Sequence, residues 1–469
     1  MQRNFVLTFG QCLDMISSIG VINLKDISLL EGSVTKSLWL FSLPMILGNL
    51  LQQLYNIADT LIVGRYLGSD ALAAVGSSFT LMVFLTSIIL GLCMGSGVLF
   101  SMLYGSQKEK DLKNAFFVSF VAIGLLTIII EVFCLLFAKE ILVLLNIPQK
   151  IFEATYSYTF IVFIGLVFTF IYNYFSSLLR ALGDSKTPLL FLAVSSIINI
   201  VLDIYFIVAL NSGIAGAAYA TIIAQAISAI GLVIYIAIKK KELHIQKEHC
   251  YLNHQIFKKM MDYSLLTCFQ QSVMNLGILM IQGLVNSFGV VTMSAFAAAV
   301  KIDAFAYMPV QDFGNAFATF IAQNKGAQAN DRIAQGLKSA LLTSSIFCLF
   351  ISFVIYVFAS ELMTIFIDSS EINVIAQGVE YLRIEGICYI GIGCLFLLYG
   401  YYRGIGKPAI SVVLTIISLG TRVVLAYLLA PTLGTIAIWW AIPIGWFLAD
   451  ATGIIYGLKH EKWHLAKNC

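Results

Sequence analysis

Four side chains, Asp59, Asn199, Asp203 and Thr221, carry the chemistry that the rest of this chain must serve. Asp59 is the only formal charge between Lys36 and Arg65, in a stretch apolar enough and long enough to span a bilayer. An acid there is a functional group by default, because a charge in hydrocarbon is costly and rare. Asn199 and Asp203 stand at i and i+4 of a second apolar stretch, on one helical face. Neither stretch contains a lysine or arginine to neutralise its acid. The carboxylates are therefore expected to carry a proton or to hold a cation, H⁺ or Na⁺. Depth agrees with this grouping. Asp59 lies just before a turn at 64–68, Asp203 precedes Asn211 by eight residues, and Thr221 follows Gly213 by eight. At roughly 1.5 Å per helical residue, three separate spans place these groups at one level.

Around Asp59, the residues Gln52, Tyr55 and Asn56 complete an i, i+3, i+4, i+7 polar face and are candidate substrate contacts. Pro44, fifteen residues earlier, removes a backbone donor and predicts a hinge. A later span adds Tyr158, Tyr172, Asn173 and Ser176. Glu131 lies a helix face away from the other polar groups, which points to snorkelling or a local hydrogen bond.

The elements that must position these groups follow from composition. Of 469 residues, 59% are hydrophobic and 11% charged, with a mean hydropathy of +0.91. An all-α polytopic membrane protein is the class this dictates. Charge-poor stretches near 39–63, 78–103, 115–137, 155–178, 188–210, 214–238, 262–286, 292–320, 339–359, 380–402, 408–430 and 435–457 predict twelve spans. With both termini cytoplasmic, 22 of the 28 basic residues fall on the inner side, which orients the chain in a cell membrane. Loop lysines account for the net charge of +3, so no nucleic-acid partner is implied. The nine cysteines form no C-x-x-C pair, all five histidines lie outside the spans, and no P-loop occurs. These absences argue against a metal centre, an intramembrane enzyme and direct ATP coupling. No cofactor is expected beyond the coupling ion, and the chain is expected to act as a monomer.

Internal repetition divides the chain. Ala73-Ala-Val-Gly76 returns as Ala295-Phe-Ala-Ala298, Met102-Leu-Tyr-Gly105 as Gln323-Asn-Lys-Gly326, and Arg180-Ala-Leu-Gly…Pro188 as Arg403-Gly-Ile-Gly-Lys-Pro408. A shared offset of roughly 220 residues implies two homologous six-span lobes. Six being even, both lobes have one orientation and are related by a pseudo-two-fold axis along the membrane normal, with a cleft between them. The expected organisation is an interfacial or disordered extension over 1–30, a first lobe over 31–238, a cytoplasmic linker over 239–259, a second lobe over 260–458 and a tail over 459–469. In the second lobe Lys301, Arg383 and Arg422 are expected to pair with Asp303, Asp312, Glu385 and Asp450.

Pro44…Asp59-Thr…Val-Gly-Arg-Tyr-Leu-Gly68, Leu-Arg180-Ala-Leu-Gly-Asp-Ser-Lys-Thr-Pro188, Asn199-Ile-Val-Leu-Asp203 and Gln323-Asn-Lys-Gly-Ala327 together resemble the multidrug and toxic compound extrusion (MATE) family of secondary transporters. The likeness runs from about Leu30 to Leu458. It implies a cation or proton site at Asp59, Asn199, Asp203 and Thr221, as in the prokaryotic branch with its site in the first lobe. It also places Tyr55, Tyr158 and Asn173 in a chamber that rearranges when the first helix bends at Pro44. Another branch uses a seventh-span Glu and a tenth-span Asp. Those positions here are Gln270 or Gln271 and the neighbourhood of Ile392, so that second-lobe site is expected to be missing. The resemblance implies antiport of amphipathic, often cationic small molecules out of the cell. The alternative is a lipid or lipid-linked oligosaccharide flippase of the same superfamily, which would need a cationic cleft. A channel is disfavoured by the asymmetric lobes and the lack of a filter-like ring.

Overall fold

The structure, a computed structural model, describes residues 28–461. Most of the expected extension and the tail from 462 lie outside the described residues. Uniform apolarity with few internal breakers makes every described regular element helical. The first repeat comprises α1 (Val34–Leu67), α2 (Ser69–Gly105), α3 (Glu109–Leu136), a short α4 (Ala138–Leu144), α5 (Gln149–Ile164), α6 (Leu166–Ala181), α7 (Lys186–Ile204) and α8 (Gly213–Lys239). The second comprises α9 (His254–Asn286), α10 (Val290–Gly326), α11 (Asn330–Thr364), α12 (Ile372–Ile387), α13 (Tyr389–Gly404), α14 (Pro408–Leu433) and α15 (Thr435–His460). Ten helices are long and apolar enough to cross a membrane. Two further spans are broken ones, α5 with α6 bent by 44° and α12 with α13 bent by 54°, giving twelve.

Backbone geometry repeats with the sequence. The left-handed positions pair as Gly68 with Gly289, Gln107 with Gln328, Gly183 with Gly406, and Gly213 with Gly434, all at the displacement of the sequence repeat. The two broken spans bend at Gly165 and Cys388, equivalent points of the two repeats. Turn chemistry, and not apolar pattern alone, therefore builds the same six-span lobe twice.

Between α8 and α9 the linker is shorter than expected. Helix resumes at His254, where Asn253 caps it by accepting from the amides of Gln255 and Ile256, so Lys258 and Lys259 lie on α9. The Asn114 side chain of α3 donates to the carbonyls of His249 (3.0 Å) and Tyr251 (2.8 Å), which fastens this linker to the first lobe.

Packing does not follow the sequence boundary between repeats. Leu29, Val34, Leu38, Phe41 and Met45, leading into and along the first half of α1, join the core of the second lobe. Reciprocally, Met260, with Ile256, Phe257 and Tyr263 on the first half of α9, joins the core of the first lobe. Each repeat thus lends its leading helix to the other at the end of the bundle that carries the termini. Leu29, expected within a loose extension, is fully buried. Arg332 holds the same segment, donating to the carbonyls of Leu29, Glu31 and Gly32 at 2.9–3.2 Å.

The lobes close on each other at this termini end. Gly105 of α2 lies against the Gln323 carbonyl of α10, and Gly326 against the Met102 carbonyl, contacts no side chain would permit. Gln323 also donates to the Ala181 carbonyl at 2.7 Å, and Ser264 to the Leu92 carbonyl at 3.0 Å. Going toward the opposite end, Gln53 to Met308 at 3.2 Å is the last hydrogen bond joining α1 to α10 among the described residues. Beyond it α2 exposes Phe79, Val83 and Phe84, and α9 exposes Leu276 and Met280. The lobes are therefore closed on each other at the termini end.

Candidate functional site

Four spans converge in the first lobe. α1 supplies Asp59, α7 supplies Asn199 and Asp203, α5 supplies Tyr158 and α8 supplies Thr221. The Asp59 and Asp203 carboxyls face one another, and the Tyr158 hydroxyl lies within range of both and of Thr221. Tyr55, one turn from Asp59, faces the same carboxylate and Gln52. Asp203 is fully buried and Asn199 is 3% exposed, whereas Asp59 is half-buried. A π turn, Tyr205–Ala209, begins two residues after Asp203. Such irregular backbone is tolerated at membrane depth where it borders a buried polar site.

Although the carboxyls are neighbours, no hydrogen bond of regular geometry satisfies them. Asp59 Oδ1, both Asp203 oxygens and both Asn199 side-chain atoms are buried without a partner, five atoms in all, with Asn199 one turn from Asp203 on α7. Protein interiors leave few buried polar atoms unpaired, so this concentration needs an explanation. Four of the five atoms are oxygens, the donor type suited to a proton or a hard cation. Among the described residues, no three His, Cys, Asp or Glu side chains come together as a metal cage.

The substrate candidates are distributed along the first lobe. Gln52 is exposed and Asn56 half-buried on the Asp59 face of α1. Asn173 and Ser176 stand on α6, beyond the Gly165 break and outside the carboxylate cluster. Asn173 donates to the Thr169 carbonyl of its own helix at 2.8 Å, and Ser176 is buried with its Oγ unpartnered. Tyr172 links the two levels, since it approaches both Tyr55 and Ser176 and donates to the Pro188 carbonyl at 2.9 Å. A polar line therefore descends from Asp59 through Tyr55, Tyr172 and Ser176 to Arg180. The i, i+4, i+8 spacing of Tyr172, Ser176 and Arg180 was its sequence signal, hidden because Arg180 reads first as part of a turn.

Comparison with known proteins decides the family. The model described as MatE matches residues 44–205 and 267–428, well over half the chain. The chain belongs to the MatE family. The two matched segments are offset by the displacement that also relates the broken spans. This MatE chain is 31% identical to the probable multidrug resistance protein YpnP of Bacillus subtilis, over 95% of this chain and 99% of that one. It is 28% identical to the probable multidrug resistance protein YoeA of the same organism, over 92% and 95%. A solved structure described as the outward-facing conformation of a multidrug resistance MATE family transporter shares the fold, with a TM-score of 0.88 and 23% identity over 95% of this chain and 99% of that chain.

The second lobe of this MatE protein corrects the pairing expected for it. Lys301 sits over the Phe366 ring and Arg383 over the Tyr356 ring, without a described acid. Asp312 accepts from Asn49 across the lobe interface, and Asp450 neighbours Cys394. Only Arg422 meets acids: Asp303, which accepts from the Tyr389 hydroxyl at 2.6 Å, and buried Glu385 beside it. Glu385 lies on the tenth span, before the Cys388 break. Which helix faces meet decides this pairing, and a count of charges per span does not contain that information. Glu131 is half-buried and approaches the backbone of Val167 at the start of α6.

Proposed function

We propose that this MatE transporter exports amphipathic, often cationic small molecules by antiport against H⁺ or Na⁺, with Asp59, Asn199, Asp203 and Thr221 receiving the coupling ion. The five unpartnered buried atoms of Asp59, Asn199 and Asp203 carry the reading. The multidrug resistance names of YpnP and YoeA support the efflux role. Two facing carboxylates repel unless a proton or cation lies between them. Ion binding therefore draws Asp59 toward Asn199, Asp203 and Thr221, and ion release frees it.

Asp59 rides on the helix best placed to pass this on. The first half of α1 packs on the second lobe, and its last turns carry Val63 in the core of the first lobe. α1 runs through Pro44 without interruption, so the expected hinge is not a break here. Pro44 nonetheless leaves the Leu40 carbonyl without its helical donor, the cheapest place for α1 to bend. Bending would swing Gln52, Tyr55 and Asn56 across the cleft beside Tyr158, Asn173 and Ser176, displacing bound drug. In this reading the lobes span 31–238 and 254–458, the termini lie in the cytoplasm, the closed end of the cleft faces inward, and a monomer in the plasma membrane suffices without cofactor or catalysis.

The test is drug accumulation in cells expressing Asp59→Asn or Asp203→Asn. Both variants are expected to reach the membrane at wild-type level and to lose efflux to background. Efflux retained by both would refute the assignment.

A further inference from the structure

The floor of the cleft holds a polar group that ion coupling leaves unused. Arg180, in the last turn of α6, and Arg403, in the last turn of α13, are repeat equivalents, one from each lobe. Their side chains converge on one stretch of α10. Arg403 is 5% exposed and donates from Nη2 to Asn315 Oδ1 at 2.8 Å. Asn315 contacts Asp312 in turn, and Arg180 lies in electrostatic range of that same carboxylate. Asp312 is 3% exposed. One of its oxygens accepts from Asn49 of α1 and the other has no partner. Arg180 Nε and, one turn away, Ser176 Oγ are also buried and unpartnered.

Arg180 lies in range of the Asp312 carboxylate, Arg403 reaches it only through Asn315, and neither guanidinium forms an ion pair with a described acid. Repetition explains the imbalance. It supplies an arginine from each lobe, but when α2 is matched to α10 through Gly68 and Gly289, the position corresponding to Asp312 is Gly91, so the acid has no counterpart. A buried guanidinium without a counter-ion is unfavourable, and its planar fork fits two oxygens of one anion.

We propose that this floor binds an oxyanion carried by an amphiphile, a carboxylate or phosphate ester held between Arg180 and Arg403 with Asn315 and Ser176 as neutral partners. The site extends the substrate class of the cleft from cations to amphiphiles with an acidic head. It rests on the transport reading only in that the cleft admits amphiphiles. Asp312 opposes the anion and sets how tightly it is held.

Equilibrium binding of radiolabelled dodecyl phosphate to the purified full-length protein tests this, with dodecyltrimethylammonium and inorganic phosphate as comparison probes. No ion gradient is involved, so failure here is distinct from failure of antiport. Dodecyl phosphate is expected to bind, and Arg180→Gln and Arg403→Gln each to weaken it about tenfold. Arg180→Lys should weaken it less, and Asp312→Asn should tighten it severalfold. Dodecyltrimethylammonium affinity should stay unchanged in these variants, which also certifies their fold, with Arg180→Lys standing in if Arg180→Gln is unstable. Inorganic phosphate should compete only weakly. Equal dodecyl phosphate affinity in wild type and both Gln variants, weaker binding in Asp312→Asn, or phosphate competing as well as the ester would overturn the proposal.

Discussion

Asp203 has two buried oxygens without partners, and Lys301, in the other lobe, is an exposed ammonium over an aromatic ring. The two residues illustrate what a membrane span can conceal. The meeting of Asp59 with Asp203 was legible in the sequence because missing bases can be counted along a span, and depth follows from distance to a turn. That Arg422, and not Lys301 or Arg383, is the base beside Asp303 and Glu385 was not, since the three groups come from three spans. Lys301→Met is therefore expected to leave folded yield within about twofold, as a surface change does. Arg422→Met leaves two buried acids uncompensated and is expected to lower yield several-fold. Size-exclusion recovery from equal membrane samples separates these outcomes, and equal losses would return Lys301 to an ion-paired role.

At the scale of elements, α1 and α9 matter most, because each packs its first half in the other lobe's core. Apolar periodicity revealed both as spans. It could not reveal the exchange, because a lipid-facing stripe and a lobe-facing stripe have the same composition. Pro44 lies within the anchored half of α1, one residue before Met45, and Pro44→Ala restores the missing hydrogen bond and stiffens the helix there. Drug exchange is expected to slow more than equilibrium drug affinity falls. Spin labels on α1 and α7 should show an ion-dependent distance change in wild type that shrinks in Pro44→Ala. A full-size change in the variant would remove Pro44 from the mechanism. At the closed end, a Cβ on Gly105 would meet the Gln323 carbonyl, which is backbone and cannot rotate away. Gly105→Ala is expected to populate a form open at the termini end, read as faster alkylation of a cysteine introduced at Asn315. Unchanged alkylation would mean that the seal lies elsewhere.

Across the whole molecule, twelve spans and the repeat were readable from hydropathy and from motifs that recur at one spacing in both halves. The bends at Gly165 and Cys388 were not, because the apolar run continues through both. The orientation of the bundle rests on the distribution of its basic residues. Tags after Cys469 and within 240–253 should both be protected in intact cells, and labelling of either from outside would invert the transporter. The central claim is that a cation taken up by Asp59 and Asp203 drives export through the cleft. Its most direct test is transport of a fluorescent organic cation in proteoliposomes, with the pH and Na⁺ gradients imposed separately. Substrate movement is expected to follow, and to dissipate, at least one of the two gradients in wild type and neither in Asp203→Asn. Transport in wild type that is indifferent to both gradients, or coupled transport by Asp203→Asn, would contradict the account.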